Sequence, residues 1–259
     1  MDKSAIEYHI LRRMKYISDQ QGLIERYLEE HEGWKNHLER TRSFILDCVR
    51  KSSSKSVVIM GSGWLLDVPL KELVDICEYI YLADIWHPRQ VRAMIRNYPG
   101  CNLIYTDLTG GAVNQIYTLV QSFRKSGNRE SLGNISYSIP KLPDGDSYLI
   151  SLNILNQLDI ILVDYLKKYI KYPEDEIRDF RKKIQENHLA LLKPGHSCLI
   201  VDHEEIVLDH KNQVVTTKKP IYAQLPEGKS NLEWKWTFDI GGTYNKGNKT
   251  EFNVIAIEL

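Results

Sequence analysis

Between residues 57 and 202 the chain repeats one pattern. A short apolar run stops at a glycine, an aspartate or a serine, and a stretch with helical spacing follows it. Uninterrupted apolar runs this short suit strands buried on both faces. A helix between each strand and the next implies crossover connections, hence a largely parallel sheet with helices on both faces. The spacing predicts strands over residues 57–60, 79–83, 102–106, 147–151 and 197–202, with helices over 69–77, 88–97, 112–123, 158–172 and 174–192. Pro69 follows Asp67 and Val68, where proline suits a first helical turn.

The two ends of the chain read differently. Residues 4–50 are helical: Ile6, Ile10, Met14 and Ile17, then Ile24, Tyr27 and Leu28, recur at three- and four-residue spacing, and a longer amphipathic stretch runs from Trp34 through His37, Leu38 and Ile45 to Val49. Residues 232–239 and 251–258 alternate with period two around the glycine-rich turn 241–247, the signature of a closing antiparallel hairpin. A polar break near residue 52 divides an N-terminal helical extension, 1–52, from an α/β domain, 53–259. The Ser-, Gly-, Asn- and Pro-rich segment 124–146 reads as a loop. It follows a returning helix, so it is expected at the amino-end edge of the sheet, away from chemistry. Segments 203–231 and 240–248 are expected on the active face.

Charge narrows the partners. Thirty-four Lys and Arg balance thirty-four Asp and Glu, whereas a surface that neutralises many phosphates carries a basic excess; this weighs against nucleic acid. Cys48, Cys77, Cys101 and Cys198 form no C-x-x-C pair and have no histidine at zinc-ligand spacing, so reduced thiols and no metal site are expected. Residues 1–15 carry charges throughout with no apolar signal core, and no apolar run is long enough for a membrane span, so a cytoplasmic protein is expected. The basic runs around Lys167 and Arg181 read as solvated helix faces.

Five βα units followed by a terminal hairpin, over residues 55–259, resemble the class I S-adenosylmethionine (SAM)-dependent methyltransferases. Four places carry the resemblance: Val57-Val58-Ile59-Met60-Gly61-Ser62-Gly63 at the first strand, Asp84 ending the second, Asp107 ending the third, and Leu191-Leu192-Lys193-Pro194-Gly195 before the fifth. It implies a seven-stranded, mostly parallel Rossmann-like sheet with the last strand antiparallel. It implies SAM as cofactor, with Gly61, Ser62 and Gly63 beside it, Asp84 on the ribose hydroxyls, Asp107 and Leu108 at the adenine, and Ser151 and Asn153 in the loop facing the transferred methyl. The sequence departs from the family at two places: Ile59 stands where an acid is usual, and Leu65 where a third glycine is usual.

The chemistry of these residue types fits their places. Ligands of open α/β sheets bind outside the carboxyl ends of the strands. Glycines let backbone approach a bulky ligand. A carboxylate such as Asp84 accepts two hydrogen bonds from a vicinal diol, and Ile85 and Trp86 are candidates to pack on adenine, with plain core the second reading of Trp86. Asp84 and Asp107 have a second reading as helix caps. Asn153 and His203 are the candidate catalytic residues, with His87 a further candidate base. The N-terminal helices are expected to cover the carboxyl edge; the alternative is a flank or a homodimer interface. The function expected is methyl transfer to a small-molecule acceptor. A catalytically inactive SAM-binding or scaffold protein of the same fold is the alternative motivated by Ile59 and Leu65. A nicotinamide dehydrogenase shares the Gly61-x-Gly63 pattern but wants the third glycine.

Overall fold

The computed structural model describes residues 6–143 and 145–259. The first two of the residues read as helical, 4 and 5, lie outside the described residues. Helix α1 (Tyr8–Arg13) is separated by Lys15, whose φ of 75° is left-handed, from α2 (Tyr16–Ser52), two helical halves joined across a kink at Glu30. The alternating region then gives β1 (Ser56–Met60), α3 (Leu70–Ile76), β2 (Tyr79–Asp84), α4 (Arg89–Ile95), β3 (Cys101–Tyr105), α5 (Ala112–Ser126), β4 (Tyr148–Leu152), α6 (Ile160–Tyr169), α7 (Glu174–Leu189) and β5 (Ser197–Leu208). Three strands close the fold: β6 (Val214–Lys218), β7 (Ser230–Asp239) and β8 (Lys249–Glu258).

The strands form one sheet in the order β3-β2-β1-β4-β5-β8-β7, with β6 added alongside β5. Strands β1 to β5 are mutually parallel; β8 runs antiparallel to β5 and to β7, and β6 antiparallel to β5. The sheet therefore has eight strands, where the sequence pattern predicts seven. The reason is β5. Its apolar run stops at Asp202, but the strand continues to Leu208 because β8 pairs with it over its whole length, a register shift at Asp202/Glu204 absorbing the polar residues. That extension offers an edge to which Val214–Lys218 adds.

Successive residues of β1 serve opposite cores. Val58 and Met60 pack with α1, α5, α6 and α7, while Val57 and Ile59 pack with the second half of α2, with α3 and α4, and with Trp234, Trp236 and Phe252 of the hairpin. Two-sided burial is why the strand reads as an unbroken apolar run.

Helix α2 does two things. Its first half crosses the carboxyl ends of the strands: Trp64 Nε1 donates to Gln20 O at 2.6 Å, Arg26 Nη1 to Thr243 Oγ1 at 2.8 Å, and Gly241 N to Glu30 Oε1 at 2.7 Å. Its second half descends along the sheet, with Trp34 Nε1 donating to Phe238 O at 2.9 Å and Lys51 pairing with Glu258 at 2.7 Å. Gly33 marks the close crossing, since a Cβ there would lie 2.7 Å from Thr237 O.

The loop after α5 departs from its expected place. Ser138 N donates to Gly110 O at 2.9 Å, so the middle of the segment rises to the carboxyl end of β3, and Asp146 O returns to Ser54 at the amino end. Gln115, one turn into α5, draws it up by accepting from Ser136 N at 3.0 Å. Arg181 is not on a solvated face: it pairs with buried Asp159 and its guanidinium lies 4.5 Å from the Tyr222 ring centroid.

Candidate functional site

A cavity of about 430 Å³ opens where the strand order reverses, between the carboxyl ends of β1 and β4, beneath the first half of α2. The turn after β1 forms its rim. Gly61 has φ +85°, and a Cβ on it would lie 2.7 Å from Ile154 Cβ and 2.8 Å from Leu152 O, so only glycine fits. Gly63 is different: the nearest atom to its would-be Cβ is 4.0 Å away, which leaves its backbone open to a ligand.

Asp84 pins this turn. Its Oδ2 accepts from Gly63 N at 2.8 Å, and its Oδ1 from Ile85 N at 2.7 Å and from Gln20 Nε2 at 3.2 Å. Burial pushes its carboxyl pKa up, opposed by His87 and by those backbone N–H groups. It does not cap α4, whose N-cap is Pro88. Asp107 does take the capping role: its Oδ1 accepts from Thr109 N at 2.9 Å and its Oδ2 from Val113 N, in the first turn of α5, at 3.3 Å, while it also lines the cavity beside Leu108.

Of the other sequence candidates, Ser62, Ile85 and Asn153 line the cavity; Trp86, Ser151 and His203 do not. Trp86 lies under α1, its ring 5.3 Å from that of Tyr8 and 5.7 Å from the Arg92 guanidinium. Ser151 is buried within β4 and shares a 2.8 Å hydrogen bond with His188 Nε2. His203 sits at the irregularity inside β5 rather than in a loop after it. His87 is buried against Ile104 O at 3.1 Å, so it is a core histidine.

Asn153 belongs to a buried polar chain. It has left-handed φ 48°, and its amide Nδ2 lies 2.9 Å from Asp67 Oδ2 and 3.3 Å from His37 Nε2. Trp234 Nε1 lies 3.1 Å from His37 Nδ1. Indole nitrogen only donates, so Nδ1 accepts and the neutral imidazole carries its proton on Nε2. Burial holds the His37 pKa down at about 3, which keeps it neutral. His37 Nε2–H then needs an acceptor. The Asn153 amide is the group that faces it, and Asp67, whose pKa burial raises, lies at 2.9 Å from the same amide.

His37 and Asp67 escape the sequence reading. His37 sits on the apolar stripe of a helix beside Leu38, and Asp67 sits in the turn before α3 as an ordinary helix-start residue. Asp202, which ends the apolar part of β5, is 3 % exposed, and burial lifts its pKa to about 7. The same signal that marks Asp84, an acid where an apolar run stops, marks it. Trp236, Phe252 and Tyr244 complete the wall, the last from the hairpin turn expected on this face. Among the described residues no cluster of three or more His, Cys, Asp or Glu side chains has metal-binding geometry, and no helix is long and apolar enough to cross a membrane. Compared with known proteins, the chain matches no protein-family model and no curated protein.

Proposed function

We propose that the chain binds SAM in this cavity and transfers its methyl group to a small-molecule acceptor. The observation that carries the reading is a cavity at the switch point of the sheet whose ionisable wall is acidic: Asp19, Asp67, Asp84, Asp107, Asp202 and Glu205 face a single guanidinium, Arg26. Such a wall favours a ligand bearing a sulfonium and an ammonium group, and opposes the pyrophosphate of a nicotinamide dinucleotide.

The residues fit the group. Gly63 leaves space for close approach, Ile85 and Leu108 offer apolar edges to adenine with Asp107 beside them, and Asp84 keeps an acceptor site for a ribose hydroxyl if Gln20 yields. Ile59, in β1, points into the core and supplies no acid, but Asp67, on the segment between β1 and α3, puts a carboxyl group on the cavity wall. When bound, SAM supplies an electrophilic methyl group. The chain's part is alignment: Asn153 offers a hydrogen bond near the reacting centre, and the first half of α2 excludes water and holds the acceptor in place.

Calorimetric titration with S-adenosylhomocysteine tests the reading. One-to-one binding that weakens about tenfold or more in Asp84→Ala is expected. An absence of heat with both SAM and S-adenosylhomocysteine overturns it. Binding without turnover on any acceptor is the outcome the inactive-protein alternative requires.

A further inference from the structure

The cavity has two halves. One lies over β1 to β3, beside Gly61, Asp84 and Asp107. The other lies between the turn after β4, the middle of β5 and the β7–β8 turn, and there the charges do not balance. Asp202 Oδ2 accepts from Asn156 Nδ2, but Asp202 Oδ1 has no hydrogen-bond partner, and neither does Asn156 Oδ1. Both residues are more than nine-tenths buried, at 3 % and 4 % exposed, and both line the cavity.

The neighbouring charges are already answered. Glu205 accepts from Lys218 Nζ at 3.1 Å and Asn245 Nδ2 at 2.9 Å, and Asp159 pairs with Arg181. Arg26 is turned toward Asp239 at 3.8 Å and lies 5.1 Å from the Tyr244 ring centroid. Among the described residues no cation reaches Asp202 within 4 Å. A buried carboxylate oxygen and a buried amide oxygen without donors are costly, and a ligand with hydrogen-bond donors recovers that cost.

The rest of this half is aromatic. Trp34 and Trp236 meet edge-on with centroids 4.7 Å apart, Trp236 and Phe252 lie 5.6 Å apart, and all three line the cavity with Tyr244. Aromatic faces beside a carboxylate attract organic cations. An anion finds no free positive charge here, and a metal ion finds too few ligands.

We propose that this half is the acceptor subsite and that it takes a primary amine on an apolar frame, the ammonium donating to Asp202 Oδ1 and Asn156 Oδ1. Binding of the amine stands on these residues alone; its methylation rests on the SAM reading above. For transfer, the ammonium gives one proton to the Asp202 carboxylate, which frees the nitrogen lone pair. That pair forms the N–C bond to the methyl group while the C–S bond breaks with its electrons left on sulfur. The product is an N-methylammonium ion, and Asp202 later releases its proton to water. The raised proton affinity of Asp202 suits it to this exchange near neutral pH.

The test is titration of the full chain, without cofactor, with 2-phenylethylamine, its neutral analogue 2-phenylethanol and the carboxylate phenylacetate. The amine is expected to bind at least about tenfold tighter than the alcohol, with the carboxylate weakest. Asp202→Asn should lose that preference. Should that variant not fold, Asn156→Ala must weaken the amine selectively. Equal affinity for amine and alcohol, no amine binding at millimolar concentration, or an amine preference unchanged in Asp202→Asn overturns the proposal. If S-adenosylhomocysteine binds and the amine does not, the subsite proposal fails and the cofactor reading stands; the reverse result fails the cofactor reading alone.

Discussion

Gly63 donates its backbone N–H to Asp84 Oδ2 at 2.8 Å, so the carboxylate at the end of β2 holds the glycine turn that follows β1. The acid proposed to bind ribose is thus also a structural brace. Asp84→Ala should weaken S-adenosylhomocysteine binding and also cost on the order of 1–3 kcal/mol of stability, because Gly63 and Ile85 lose their acceptor. Gln20→Ala removes a competitor at Asp84 Oδ1, along with a hydrogen bond to Trp86 O, and should leave ligand affinity unchanged or improved. Urea unfolding paired with calorimetry on both variants checks this; a stability-neutral Asp84→Ala would show that the brace carries no weight.

Two glycines of α2 should respond to alanine with opposite signs. Gly22 lines the cavity with no atom within 4 Å of a would-be Cβ, so Gly22→Ala should stabilise the helix by up to about 1 kcal/mol. Gly33→Ala brings its Cβ within 2.7 Å of Thr237 O and should cost about 1–3 kcal/mol through displacement of α2 from β7. Denaturant midpoints moving in the same direction for both variants would contradict this account of the crossing.

Asp202 should make its own mark on the pH dependence of stability. Its folded pKa, about 7, lies above the ordinary value of 3.8, chiefly through burial, with Glu205 on the same strand adding repulsion. A raised acid binds its proton more tightly when folded. Its contribution is therefore fully present below about pH 4 and is lost as pH rises through about 7. Asp202→Asn escapes that loss, so its stability relative to the parent should climb between pH 4 and pH 8, by up to about 4 kcal/mol. Tyr244 on the hairpin, Asp19 and Arg26 on α2 and Asn156 are held constant in the comparison. A pH-independent difference would show that Asp202 titrates normally.

His188 should behave in the opposite sense. Burial lowers its pKa to about 4, so the unfolded chain binds its proton more readily, and the stability present above about pH 6.5 is lost as pH falls through about 4. His188→Gln should narrow its deficit against the parent across that window. A deficit that stays constant from pH 7 to pH 4 would mean that His188 is charged in the folded chain.

What could be read from the sequence divides along physical lines. Residues buried on two faces, such as Val57 to Met60, announce themselves by composition, and Glu251 to Glu258 by alternation. Gly61, Asp84 and Asp202 sit where an apolar run stops, so strand ends point at the cavity even without contacts. Strand β6 had no such mark: all five of its residues are exposed, and it exists only because β5 runs on past Asp202. His37 and Asp67 join the site through Asn153, a contact 116 and 86 residues away in sequence. Whether Trp86 meets the cavity or the core depends on α1, a helix far before it in sequence, which covers it. Leu65 has φ +61°, a backbone conformation usual for glycine, while its side chain goes into the core.

The last prediction concerns α2 as a cover. Its second half is anchored independently of the first, by Trp34 on Phe238 O and by Ile45, Cys48 and Val49 in the core. Its first half touches the α/β domain mainly at the rim: Gln20 on Asp84 and Trp64, Arg26 on Thr243, and Glu30 on Gly241. Removal of residues 1–30 should therefore leave a folded sheet, though α1 takes Ile10, Leu11 and Met14 out of one core and some loss of stability will accompany it. The truncated chain should bind S-adenosylhomocysteine more weakly and lose transfer more severely than binding, because water then reaches the reacting centre and the acceptor loses one wall. Circular dichroism establishes that the truncated chain folds; calorimetry and turnover on an accepted amine then separate the two effects. A folded truncation that keeps full turnover would leave the first half of α2 as packing on the rim and nothing more.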